Sequence, residues 1–120
     1  MISVLLADDS EVVRKAIAHL LKGDPEIQVL AEAASFSQTM QLTEKLHPQI
    51  LVMDLHMTDE NDVTPSQIKP SLAGSPLLAI SLWNDEETKA LADSHGAVAL
   101  LDKTKLAEEL IPAIKRYAKE

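Results

Sequence analysis

Five short apolar runs punctuate the chain, and each is followed by polar turn residues and then by a stretch of helical character. Residues 2–7 (ISVLLA) run straight into Asp8, Asp9 and Ser10, the pattern of a buried parallel strand feeding a helix. Ser10 is placed to cap that helix. Val13, Ala16, Ile17, Leu20 and Leu21 then form one apolar stripe that stops before Gly23 and Pro25. A weaker strand is predicted over 27–31. Ser35 and Gln38 make a capping box ahead of Phe36, Met40 and Leu46, and Pro48 closes this second helix.

The third run, 50–53, ends on Asp54. Thr64, Pro65 and Gln67 supply a cap, a first-turn proline and a capping-box partner, so a short helix should run to about Ala73 before Gly74 and Pro76 stop it. A fourth strand is predicted over 77–82, with Asn84 and Glu87 capping a helix whose apolar stripe is poor. His95 and Gly96 turn the chain into a fifth strand, 98–101. Thr104 is expected to cap the last helix, whose buried face carries Leu106, Leu110, Ile114 and Tyr117 or Ala118. Pro112 inside it removes one backbone bond and predicts a bend.

Strand and helix alternate without repeat or linker, which predicts one α/β domain over residues 1–120 with a five-stranded parallel sheet covered on both faces. Right-handed crossovers leave few strand orders, of which 2-1-3-4-5 is common; its switch point lies between the carboxyl ends of strands one and three.

A hydrophobic content of 46% with 25% charged residues excludes a disordered or fibrous chain, and 120 residues are too few for a multidomain enzyme. There is no cysteine, which excludes disulfides, thiol catalysis and thiolate metal sites. The net charge of −8 repels nucleic acid and anionic membrane and suits a cation or a basic partner. The first strand has no basic leader before it, and no apolar run approaches the roughly 20 residues a membrane span needs. The expectation is a soluble, cytoplasmic protein that contacts neither membrane nor nucleic acid directly.

With the order 2-1-3-4-5, Asp8, Asp9 and Asp54 converge at one crevice. Three like charges there destabilise the fold unless a divalent cation or a lysine compensates them, and Lys103, after the fifth strand, opens on the same edge, as does Ser81 at the end of the fourth. An all-oxygen set of one to three carboxylates argues for Mg²⁺ over Ca²⁺ or zinc. Carboxylate, cation, lysine and hydroxyl together supply a nucleophile and charge neutralisation for phosphoryl transfer. Taken alone, the Asp8-Asp9 pair reads more simply as helix capping.

The whole chain resembles a two-component response-regulator receiver domain, through LLADDS, ILVMDLHM, AIS ahead of a helix, and GAVALLDK. The intervals from Asp9 to Asp54 and from Ser81 to Lys103 fit that family. The ending LDKTKLAEELIPAI is similar to receivers that precede a helix-turn-helix output domain. The resemblance implies a flavodoxin-like (βα)5 three-layer sandwich. It also implies that Asp54 accepts a phosphoryl group from a histidine kinase or phosphotransfer protein. Asp8, Asp9, Asp54 and the backbone carbonyl of His56 would hold Mg²⁺. Lys103 would pair with Asp54 and then with the phosphoryl oxygens, and Ser81 would donate a hydrogen bond. The expected consequence is a switch in the surface of helix four, strand five and helix five, with a DNA-binding output domain as a further partner.

The chain also departs from the family. Thr58 and Asp62 stand where proline and glycine are usual, and Leu100 replaces the aromatic switch residue. An exposed Leu100 would offer an apolar patch, so a monomer that dimerises on phosphorylation is expected. Two other readings stay open: a receiver-like interaction module that no longer switches, and an aspartate-nucleophile phosphatase, which needs a second acid where His56 stands. His19, His47, His56 and His95 lack metal-ligand spacing. Lys115, Arg116 and Lys119 read as a favourable helix end. Trp83, the lone tryptophan, reads either as a core-edge residue or as a guard beside the site.

Overall fold

The computed structural model describes residues 1–72 and 74–119. Its elements alternate as β1 (Ile2–Ala7), α1 (Glu11–Lys22), β2 (Ile27–Ala33), α2 (Phe36–Leu46), β3 (Ile50–Asp54), α3 (Pro65–Ser71), β4 (Leu77–Ser81), α4 (Glu86–Ser94), β5 (Ala99–Asp102) and α5 (Leu106–Tyr117). All pairings are parallel and the order is β2-β1-β3-β4-β5, as expected. Apart from Ser3 and the terminal Asp54 and Ser81, the three central strands are apolar because both faces of the sheet are covered.

Alternation along β1 shows the two faces. Val4 and Leu6 join Ile17 and Leu21 of α1 and Leu110 and Ile114 of α5, whereas Leu5 and Ala7 join Phe36 of α2 and Ile68 of α3. A third cluster, Leu55, Ala79 and Ala92, lies under α4 and is far smaller. Complete burial of one leucine or isoleucine stabilises the fold by about 1.5–3 kcal/mol. The α4 flank is therefore the most weakly anchored part of the sheet's cover.

Several local expectations are corrected. Within α1 the stripe runs through Ala18, which is partly buried against the core, and Ala16 is exposed. The second strand continues two residues past 31, to Ala33. Gln38 reaches the N–H of Ala34 at 2.8 Å and not that of Ser35, so the box on α2 is only half formed. The end predicted for α3 at Ala73 lies outside the described residues, and its Thr64–Gln67 capping box is present. The cap of α4 is Asp85, whose carboxylate accepts from the Thr88 N–H, not Asn84. Thr104 does not cap α5. It lies in a 3₁₀ turn over Lys103–Lys105, itself capped by Asp102, and α5 starts without a side-chain cap.

At the amino edge of the sheet, α2 ends on His47 in the left-handed conformation (φ 48°), which turns Pro48 toward β3. Gln49 then accepts from the Ser3 N–H through its side chain (2.9 Å). Its amide donates to the Lys119 carbonyl (2.8 Å), and its backbone carbonyl accepts from the Lys119 N–H (2.9 Å).

Candidate functional site

Strands β1 and β3 stay paired up to Ala7 and Met53, and their connections then leave toward opposite faces, one to α1 and the other to α3, which opens the crevice of the switch point. Asp8, Asp9 and Asp54 meet there, each offering a carboxylate oxygen within 4.8 Å of the others. Asp8 is fully buried, Asp54 is 5% exposed, and Asp9 faces solvent.

Asp8 is held at several points. Its N–H donates to the Ala33 carbonyl (3.0 Å), its Oδ1 accepts from the Ser10 N–H (2.9 Å), and its carbonyl accepts from Arg14 (2.7 Å). Its Oδ2 lies 2.8 Å from the Lys103 ammonium but in an orientation that makes no hydrogen bond, leaving a buried oxygen without a directed donor. Asp54 Oδ1 accepts from the His56 N–H (3.1 Å), and its Oδ2 accepts from Lys103 Nζ (3.0 Å).

Burial raises the Asp54 pKa above the ordinary 3.8, against the opposing effects of the His56 N–H and the Lys103 charge. For Lys103, burial works against the charged form, but the close Asp8 carboxylate and the hydrogen-bonded Asp54 carboxylate outweigh it and raise the pKa above 10.5. The lysine is thus a fixed cation between two carboxylates, and one cation for three anions leaves the crevice negative.

Ser81 is buried at the end of β4, and its Oγ accepts from the Trp83 N–H at 3.1 Å. Trp83 itself is 57% exposed, its indole edge-on to the His56 ring at 5.6 Å. His56 Nδ1 lies 2.8 Å from Glu60. The structure thus brings Asp8, Asp9, Asp54, Lys103, Ser81 and His56 to one edge of the sheet. His19 and His47 are exposed, and His95 is buried against Phe36, its pKa lowered by desolvation and then by His56. Leu100 is not an exposed patch: it packs against the small cluster of Leu55, Ala79 and Ala92.

Sequence reasoning missed Asp59. Its two oxygens accept from the Phe36 (2.9 Å) and Ser37 (3.0 Å) N–H groups, so the segment after Asp54, despite Thr58 and Asp62, is tied to the start of α2. A carboxylate near a helix N-terminus is favourable in itself, but nothing local in the sequence joins residue 59 to residue 36.

Three carboxylates and one half-buried ammonium at the switch point of a doubly wound sheet define an acidic site suited to a hard cation and a phosphoryl group. The chain belongs to the response regulator receiver domain family, whose pattern matches residues 4–115. It is 32% identical to the transcriptional regulatory protein LiaR of Bacillus subtilis over 99% of this chain and 57% of LiaR. It is 29% identical to the nitrate/nitrite response regulator protein NarL of Escherichia coli over 97% of this chain and 54% of NarL. The chain therefore spans little more than half the length of these relatives. The response regulator domain of Thermotoga maritima CheB superposes with a TM-score of 0.84 at 20% identity, covering 98% of this chain and 96% of that one, and shares the fold. Function follows at the family level: a phosphoacceptor receiver domain of two-component signalling. No helix among the described residues is long and apolar enough to cross a membrane.

Proposed function

We propose that Asp54 is the phosphoacceptor and that a phosphohistidine on a sensor histidine kinase or phosphotransfer protein is the donor. The Lys103 ammonium carries this reading, set between Asp8 and Asp54 at 2.8 and 3.0 Å at the end of the central strand. One Asp54 oxygen forms the bond to phosphorus as the phosphorus–nitrogen bond of the donor breaks and the imidazole leaves. Lys103 needs only a small shift to follow the charge from the carboxylate to the phosphoryl oxygens. The Ser81 hydroxyl, which accepts from the Trp83 N–H, keeps its own proton to donate to the same group. Positioning and charge neutralisation are the chief contributions.

Asp8, Asp9, Asp54 and the His56 carbonyl fit Mg²⁺, because the donor set is all oxygen and the buried Asp8 Oδ2 lacks a directed donor. Bound there, the ion would neutralise charge on the transferring phosphoryl oxygens. The chain's chemistry is limited to its own phosphorylation and dephosphorylation. A phosphatase of the aspartate-nucleophile kind is disfavoured, since His56 occupies the second acid's position and its ring is engaged by Glu60. Phosphorylation would act on the surface of α4, β5 and α5, where Leu100 cannot swing as an aromatic ring does. The relative LiaR, a transcriptional regulatory protein, suggests a DNA-binding output domain as the further partner; the dimer expected from an exposed Leu100 loses its ground, because that side chain packs inward.

Incubation with acetyl phosphate and Mg²⁺, read by mass spectrometry, should place one phosphoryl group on Asp54 and none on Asp54→Asn. Absence of labelling in the wild type with Mg²⁺ present would favour a constitutive interaction module instead.

A further inference from the structure

The register of β1 against β2 slips by one residue. Val4 pairs with Val29 but Leu5 pairs with Ala31, so Leu30 is an extra residue, a β-bulge. In a regular strand residues 29 and 31 share a face. Here Val29 packs on the α1/α5 cluster while Ala31 and Ala33 pack on the opposite one. The bulge thereby turns Glu32 toward α1, where its carboxylate meets Arg14 Nε at 3.0 Å and Lys15 Nζ at 3.2 Å. Bulges re-aim side chains in this way beside functional sites.

Arg14 uses its other arm elsewhere. Its terminal nitrogen donates to the Asp8 carbonyl at 2.7 Å, and its side chain is only 13% exposed. A planar guanidinium with donors in a fixed fork can hold two acceptors at once, so Glu32 fixes the orientation of the group that fixes the Asp8 backbone. The Ala33 carbonyl, next along the same strand, holds the Asp8 N–H. Both peptide groups of Asp8 are thus referenced to the bulged end of β2.

We propose that Arg14, oriented by Glu32, is a positioning residue for cation binding: it holds the Asp8 main chain so that the carboxylate is presented to Mg²⁺ beside Asp9 and Asp54. Neither Arg14 nor Glu32 touches the cation. The inference rests on the reading of Asp8, Asp9 and Asp54 as the Mg²⁺ site. Partners one step removed from metal ligands commonly change metal affinity by about 10–100-fold when removed. Lys15 also binds Glu32 but contacts no part of Asp8, which makes it the natural control.

The test is a Mg²⁺ titration followed by fluorescence of Trp83, the only tryptophan, whose indole lies against His56. Arg14→Ala should weaken Mg²⁺ binding about tenfold, and Glu32→Ala should weaken it less, because Arg14 stays but loses its orientation. Arg14→Lys, with a single donor head that cannot reach both acceptors, should recover only part of the loss. Lys15→Ala should bind as the wild type does. At saturating Mg²⁺ the rate of labelling by acetyl phosphate should return to within about twofold of wild type in every variant, a split that general loss of structure does not produce. Wild-type affinity in Arg14→Ala, or an equal loss in Lys15→Ala, overturns the tether and leaves the Mg²⁺ site standing. A wild type that does not respond to Mg²⁺ overturns the site itself and the tether with it. Should Arg14→Ala not fold, Arg14→Lys and Glu32→Ala decide the same question.

Discussion

The two sides of the carboxyl edge are built differently. On the β1 side, Asp8 is fixed through its N–H, its carbonyl and one carboxylate oxygen, and α1 behind it packs on a core that includes Ile17, Leu21, Leu110 and Ile114. On the β4 side, Ser81 is followed by exposed Leu82 and Trp83, and α4 buries only Thr88 and Ala92. Under the proposed function, in which the site binds an ion and then reports it, this inequality is an advantage. The half that holds the ligand costs much to deform, and the half that answers costs little. Segments of low local stability are where such motions occur.

The largest expected difference is in packing. Leu110→Ala, in the fully buried face of α5, should cost about 2–5 kcal/mol in urea unfolding. Leu91→Ala, in the half-buried flank of α4, should cost only about 1 kcal/mol. Equal costs would show that α4 is as firmly held as α5.

Removing a cap is the next test. Ser10 accepts from the Val13 N–H, and Ser10→Ala should cost about 1 kcal/mol, localised by amide exchange to the first turn of α1. The same measurement on the wild type should show faster exchange across 86–94 than across 11–22.

Asp54 sets a pH test of smaller size. Its folded-state pKa lies above the unfolded 3.8, so the folded protein holds more protons between those two values and stability falls as pH rises through that window. Above the window the full cost of the buried charge is present. Asp54→Asn should therefore melt higher than the wild type at neutral pH, and the advantage should vanish as pH falls toward 3.8. A variant less stable than wild type at pH 7 would mean that the Lys103 contact outweighs burial.

The smallest effect is expected at Trp83. The indole lies edge-on to the ring of His56, the residue whose N–H donates to Asp54, and in-line attack by water needs a clear approach to the phosphorus. Its high exposure makes it a partial screen, so Trp83→Ala should shorten the lifetime of phospho-Asp54 only about two- to threefold. An unchanged or longer lifetime would remove the screen.

The strands and the first and last helices were legible because burial on both faces writes itself as apolar runs and stripes. Caps were less so: Asn84 with Glu87 and Asp85 with Thr88 have the same spacing, and which one caps depends on where the chain leaves β4. Asp8, Asp9, Asp54, Ser81 and Lys103 could be read because strand order alone gathers strand ends. Arg14, Glu32 and Asp59 could not. Their partners depend on a one-residue slip at Leu30 and on a loop reaching across to α2, and neither carries a glycine or other local sign.

The tie made by Gln49 has a mechanical consequence. Lys119 is bonded by both its N–H and its carbonyl to the residue that enters β3, the strand that carries Asp54 at its other end. Tension applied at residue 119 is thus delivered to the middle of the sheet. A pull directed along β3 would load its ladders with β1 and β4 lengthwise, as shear shared by several hydrogen bonds, where a pull across the edge strand β5 would open its bonds one after another.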